Sequence, residues 1–325
     1  MLDRRRLIAA SLAALAGPAA AQAGAYAATL AHAYGAPIDP LAAHRQALAA
    51  ARRAQARADL LLKGQGLSRG SVAERLGALA RDDRWLYADD DAGRDRAVAD
   101  MNARLDALKP RLPAAFGDLL IADARVRRMS AADEASGKGG YREPGSYYVD
   151  LKAIRARPAW TLPSVAFHEV IPGHLLQMPL QAAAPADRPR AAAAFFEAWA
   201  IYAEQLACDL GAYAADPRGE IGYLQWRLFR LARIVADTGL HALGWSRDRA
   251  LAEMTALQGR SIAFITMEAD VDRIIATPAR WAAEGLGALE IARLRPRDRR
   301  AWPAFHGRLL TTAPWPPGQL AKVVA

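Results

Sequence analysis

Apolar residues recur at helical spacing along most of this chain. From Leu41 to Leu62, leucines at 41, 48, 60 and 61 occur among arginines, which predicts an amphipathic helix with the leucines on its apolar face. Ser71 to Leu79 and Arg94 to Leu108 repeat the pattern. Asp89-Asp90-Asp91 before the latter reads as a solvated turn or a helix start; the spaced ligands and closing glutamate of a calcium loop are missing. Further on, Ala191 to Leu210, Ile221 to Leu243 and Ser246 to Leu257 are predicted helices. The first two stop near Gly211 and Gly244, and Ser246 caps the third. Ser261 to Ile275 and Gly285 to Leu294 carry weaker helical patterns.

Two segments break the helical rhythm. Residues 135–144 are rich in Gly, Ser, Lys and Glu and read as a loop. Gly145-Ser146-Tyr147-Tyr148-Val149-Asp150-Leu151 then gives the strongest strand signal, placing Tyr147 and Tyr148 on an edge strand or packed in the core. Thr161-Leu162-Pro163 starts another helix, with proline in its first turn. The tail at Trp315-Pro316-Pro317-Gly318 excludes regular helix. The expected fold is mostly α, with one short β-strand or hairpin beside the helix that begins near Thr161.

Composition adds a few constraints. A chain of 325 residues, 53% hydrophobic and 24% charged, has enough apolar material for a sizeable core. Arg4-Arg5-Arg6, the apolar stretch Leu7 to Ala16, and Ala21-Gln22-Ala23 together resemble a bacterial secretory signal peptide spanning residues 1–23. The consecutive arginines also permit the twin-arginine route. The apolar stretch is too short to span a bilayer comfortably, so no stable membrane span is expected after cleavage, and the periplasm or another exported location follows. The formal charge is +9. Its arginines are dispersed among acids with no nucleic-acid-binding module, so nucleic acid is not an expected partner. The lone cysteine, Cys208, has no internal disulfide partner and suits burial better than catalysis.

The chemistry concentrates in His168-Glu169-Val170-Ile171-Pro172-Gly173-His174, which holds two of the six histidines, followed by Glu197 and Glu204. Two imidazoles, an adjacent glutamate and a later carboxylate are the parts of a hydrolytic zinc site. The usual arrangement sets the histidines four residues apart on one helical face. Here Pro172 stands at the fourth position and His174 at the sixth, about 600° around an unbroken helix. The residues therefore demand a break at Pro172-Gly173 that swings His174 back. Without such a break, two satisfied core histidines are the competing reading.

His168 to Gln177 resembles the signature of the bacterial family called domain of unknown function 885. Glu197-Ala198-Trp199-Ala200-Ile201-Tyr202-Ala203-Glu204 is similar to a second block of that family. Pro144 to Val149, Asp237 to Trp245 and Phe305-His306 follow its order, so the resemblance covers roughly residues 115–325. It implies a helical zincin-like metallopeptidase fold. A signal peptide (1–23) would precede an abbreviated helical lid or wall (24–115) and a catalytic domain (116–325). It also implies one zinc ion on His168, His174 and Glu197, with Glu169 as general base. Glu204, two turns after Glu197, would hold a histidine in its tautomer. Asp237 and His241, four apart, would orient each other, with His241 or Arg273 stabilising an oxyanion. Tyr147 and Tyr148 would flank a cleft that takes a peptide substrate. The chain departs from the family at Ile274 and Glu284, where tyrosines are usual. That departure leaves open an alternative, a non-catalytic member that binds peptide or envelope polymer.

Overall fold

The computed structural model describes residues 18–119, 121–183, 193–259, 261–262, 265–312 and 314–325. Seven helices frame the centre of the molecule: α1 (Pro18–Tyr34), α2 (Pro40–Gly64), α3 (Leu162–Glu169), α4 (His174–Ala182), α5 (Ala193–Asp209), α6 (Pro217–Ala242) and α7 (Arg280–Leu294). Further helices, among them Asp91–Leu108, Arg247–Gln258, Met267–Ala276 and Trp302–Thr311, surround them. The expected signal peptide falls mainly on residues 1–17, outside the described residues; α1 runs through the expected cleavage site at Ala21–Ala23. Among the described residues, no helix is long and apolar enough to cross a membrane.

Helix α6 is the axis of the fold, with 19 of its 26 residues buried. Helix α2 lies along it. The apolar face of α2 differs from the sequence expectation. It buries Ala43, Ala47, Ala50, Ala51, Ala54, Ala58 and Leu62, whereas Leu41 and Leu60 face outward, 42% and 63% exposed. A stripe of small side chains lets two helix axes approach closely; Leu41 and Leu60 lie off that stripe, while Leu48 and Leu61 pack partly against the core. Asp39 caps α2 by accepting the amides of Leu41 and Ala42.

Two buried carboxylates tie α6 to its neighbours. Arg233 donates Nε and Nη2 to Asp270, at 2.8 and 2.5 Å. Asp237 accepts the backbone amides of Ala279 (2.9 Å) and Ala282 (3.0 Å), and the Tyr26 hydroxyl (3.1 Å). The start of α7 is thus capped by a side chain from another helix. A cap of this kind satisfies otherwise orphaned amides, and here it also fixes where α7 begins.

Beside α3 lies a three-stranded sheet in the order β1 (Arg125–Arg128), β3 (Ser146–Val149), β2 (Tyr141–Glu143). β1 runs parallel and β2 antiparallel to β3, with Arg142 opposite Tyr147. Two expectations are corrected here. The segment read as a loop contains β2, and β3 is the central strand, so Tyr147 and Tyr148 do not line an open edge. Tyr147 is buried, and Tyr148 is half-buried and stacks on Tyr141 with ring centroids 4.7 Å apart. The weak pattern at 261–275 divides into β4 (Ser261–Ile262), β5 (Ile265–Thr266) and the helix Met267–Ala276.

Candidate metal centre

The histidine motif folds as two helices with a break between them. α3 ends at Glu169, Ile171-Pro172 is a cis peptide, and α4 begins at His174. Gly173 makes the turn possible by having no side chain, since a Cβ there would stand 1.8 Å from the His168 carbonyl oxygen. Its φ of −79° is ordinary, so the requirement is for space and not for a left-handed backbone. Trp199 of α5 donates its indole N–H to the Pro172 carbonyl at 2.9 Å and pins the turn.

This break brings His168, His174 and Glu197 together. One donor atom from each lies within 4.8 Å of the others, so a common point exists within about 2.8 Å of all three, near the ~2.0–2.2 Å of zinc bonds to nitrogen and oxygen. The two rings stand at 90° with centroids 5.0 Å apart. Nε2 of His168 is 3.5 Å from Glu197 Oε2, and Nε2 of His174 is 3.4 Å from Oε1. The latter approach is too poorly aligned for a hydrogen bond, and His174 Nε2 is buried without a partner.

Hydrogen bonds on the far side of each ring set the tautomers. His168 Nδ1 donates to Glu204 Oε1 at 2.9 Å, and Ser164 donates to Oε2 of the same carboxylate at 2.6 Å. His174 Nδ1 donates to Gln177 Oε1 at 3.3 Å, and its ring stacks on Phe196 with centroids 4.1 Å apart. When both rings are neutral and protonated at Nδ1, two Nε2 lone pairs and a carboxylate face one another. Only a cation or an added proton reconciles such a group. The electrostatics follow. Burial works against an imidazolium at His168, but Glu197 and Glu204 outweigh it and lift the ring to about 9. Burial also disfavours the Glu197 carboxylate, yet the two histidines hold it well below the usual range. His174 is lowered, chiefly by burial. The donor set suits zinc: two imidazole nitrogens, one carboxylate oxygen and a hydrogen-bonded outer shell.

Glu169 lies at the end of α3, and its Oε2 is held by Arg142 Nη1 from β2. Tyr147, His168, Glu169, Glu204 and Arg230 line a cavity of about 120 Å³. The remaining predicted residues have partners of their own. Asp237 approaches His241 only to 3.9 Å and is occupied in capping α7. Burial raises its carboxyl to about 6. His241 donates to the Ile274 carbonyl at 3.2 Å and stacks on Tyr26. Arg273 is half-exposed beside Asp270. Among the described residues, no hydrogen bond, ion pair or ring contact joins His241 or Arg273 to the histidine cluster. Of the two positions that depart from the family, Ile274 is fully buried, whereas Glu284 sits near Glu197. Burial first, and the Glu197 charge second, raise its carboxyl.

Sequence reasoning missed Arg142 and Arg230. Arg142 lay in the supposed loop, and Arg230 is one arginine among several in an otherwise apolar helix. Cys208 is half-buried, and burial pushes its thiol up to about 12, the inert end of cysteine chemistry.

A model of the family described as bacterial protein of unknown function (DUF885) matches residues 5–324. No curated protein matches the chain. Among solved structures, a protein described as a candidate lipoprotein from Colwellia psychrerythraea is 29% identical, with a TM-score of 0.82 over 95% of this chain and 55% of its own. A candidate lipoprotein of unknown function from Shewanella oneidensis shares the fold at 17% identity and a TM-score of 0.72, over 92% of this chain and 59% of its own. The chain therefore spans little more than half the length of these two structures.

Proposed function

This chain belongs to the DUF885 family, and from that membership we propose that it is an exported zinc-dependent peptidase of helical zincin-like fold. The observation that carries the reading is the convergence of a ring nitrogen from each of His168 and His174 and the Glu197 carboxylate on one point, with each Nδ1 engaged on the far side of its ring. His168, His174 and Glu197 would hold the ion. Zinc bound there supplies Lewis acidity, enough to make water a nucleophile near neutral pH.

The protein groups divide the remaining work. Glu204 keeps His168 in the tautomer that leaves Nε2 free. Glu169 accepts the proton of the attacking water and returns it to the leaving amine. Arg142 occupies its Oε2, so Oε1 is the atom that takes the proton. The lipoprotein description of the Colwellia psychrerythraea structure supports an exported location.

A non-catalytic, peptide-binding role is the second reading, and the Arg142–Glu169 ion pair favours it, because a clamped carboxylate is a poorer base. Metal analysis of the purified protein, followed by digestion of a peptide library with and without chelator, decides. Near-stoichiometric zinc with chelator-sensitive cleavage supports the peptidase. Bound zinc with no cleavage supports the binding protein, and a metal-free, inert protein removes the peptidase.

A further inference from the structure

The peptidase reading leaves one side of the cleft without an assigned role. The cavity that touches His168 and Glu169 is also lined by Arg157 and Arg230. Arg230 rises from α6 one turn beyond Trp226, with its guanidinium 5.6 Å from the indole ring. Its nearest carboxylate is Glu204, at 4.0 Å, and that group already accepts from His168 and Ser164. The Arg230 Nε is buried without a hydrogen-bond partner. Arg157 is 3% exposed and stands 3.7 Å from Asp150. The other carboxylate on the cavity, Glu169, is held by Arg142. Arg157 is paired with Asp150, so Arg230, whose Nε is unsatisfied and whose one neighbouring carboxylate is already engaged, is the cation offered to an incoming anion.

We propose that this cavity receives a carboxylate carried by the amino acid that leaves on cleavage, with Arg230 as its principal contact. The placement follows from the role of Glu169: the group that returns the proton to the leaving amine lies beside the leaving residue. A volume of about 120 Å³ suits one small residue better than a continuing chain. The carboxylate is either the α-carboxylate of a chain end or an acidic side chain. Arginine recognises both by the same bidentate geometry.

The proposal rests on the peptidase reading, so its test has two arms. In the first, the zinc-loaded full chain cleaves N-acylated peptides that differ only in the leaving residue: alanine acid, alanine amide, glutamate amide and glutamine amide. A hydrogen bond to a charged group predicts a preference in kcat/KM of about 10- to 100-fold. Alanine acid over its amide identifies the chain end; glutamate amide over glutamine amide identifies the side chain. Arg230→Met collapses whichever ratio appears, and Arg230→Lys retains part of it.

The second arm measures binding of N-acetylalanine, N-acetylalanine amide, N-acetylglutamate amide and N-acetylglutamine amide by calorimetry, to zinc-loaded and metal-free protein. Zinc content and circular dichroism of both variants accompany each arm. Carboxylate-selective binding without cleavage of any peptide overturns the peptidase reading and keeps the anion site. Cleavage with no carboxylate preference, or a preference that survives Arg230→Met, overturns the anion site. No cleavage and no selective binding overturns both.

Discussion

Replacing Glu204 by glutamine tests the metal centre without touching a ligand. Glu204 is 2% exposed; its Oε1 accepts from His168 Nδ1 at 2.9 Å and its Oε2 accepts from Ser164 at 2.6 Å. Glutamine keeps the shape and one acceptor but removes the charge, and its amide group must face a hydroxyl that now donates. The His168 imidazole becomes less basic and its tautomer less firmly held. Loss of such an outer partner costs about 10- to 100-fold in metal affinity, or about 1.4–2.7 kcal/mol. Competition against a chromophoric chelator at pH 7.5 measures this directly. Ser164→Ala leaves the carboxylate in place, so its effect falls below that of Glu204→Gln. If Glu204→Gln folds normally and binds zinc within threefold of the parent, the carboxylate does not support the ligand and the argument from tautomers fails.

Gly173→Ala places a methyl group against the His168 carbonyl at 1.8 Å, so zinc binding is lost and stability falls by about 2–4 kcal/mol; zinc titration and urea denaturation check both. His168 titrates at about 9 in the metal-free protein, so zinc displaces close to one proton at pH 7.5 and affinity weakens as pH falls below 9. Calorimetry in buffers of different ionisation enthalpy counts that proton, and a count near zero contradicts the assignment. His306 donates Nδ1–H to the Ala115 carbonyl and accepts the Tyr202 hydroxyl at Nε2, and burial lowers it from the ordinary 6.5 to about 4. A histidine whose folded value is depressed contributes stability above pH 6.5 and loses it as pH falls to 4. The loss is about 3 kcal/mol, seen by denaturation at pH 7 and 4.5 and reduced in His306→Gln. Asp237→Ala strips the cap from α7 and costs about 2–4 kcal/mol, read as a lowered urea midpoint, with His241→Ala costing less.

Parts of this molecule were legible residue by residue. Pro172 and Gly173 between two histidines announced a helix break, because an intact helix could not bring both rings to one point. The seven-residue spacing from Glu197 to Glu204 put both carboxylates on one face of α5. Other parts were hidden for physical reasons. In a chain this rich in alanine, a small-residue stripe on α2 does not stand out, and the eye goes to leucines, of which Leu41 and Leu60 meet solvent while Leu48 and Leu61 pack partly against the core. β1 is Arg-Val-Arg-Arg, a strand whose charges find carboxylates on the neighbouring helix Asp91–Leu108 and whose apolar content is one valine. Four-residue spacing paired Asp237 with His241, but it could not reveal that two amides from residues 279 and 282 would reach the aspartate first. Arg142 and Arg230 come from a strand and a helix far apart in the chain, so only the folded molecule brings one onto Glu169 and the other to the cavity beside it.

The interruption at Pro172 separates the angle between the two imidazoles from the pitch of a helix. That bite angle is set by how α4 leans on α3, and the Trp199 indole hydrogen bond fixes the lean. Substitutions at Trp199 or in its packing therefore retune coordination geometry, and with it the preference among divalent ions, while every donor atom stays in place.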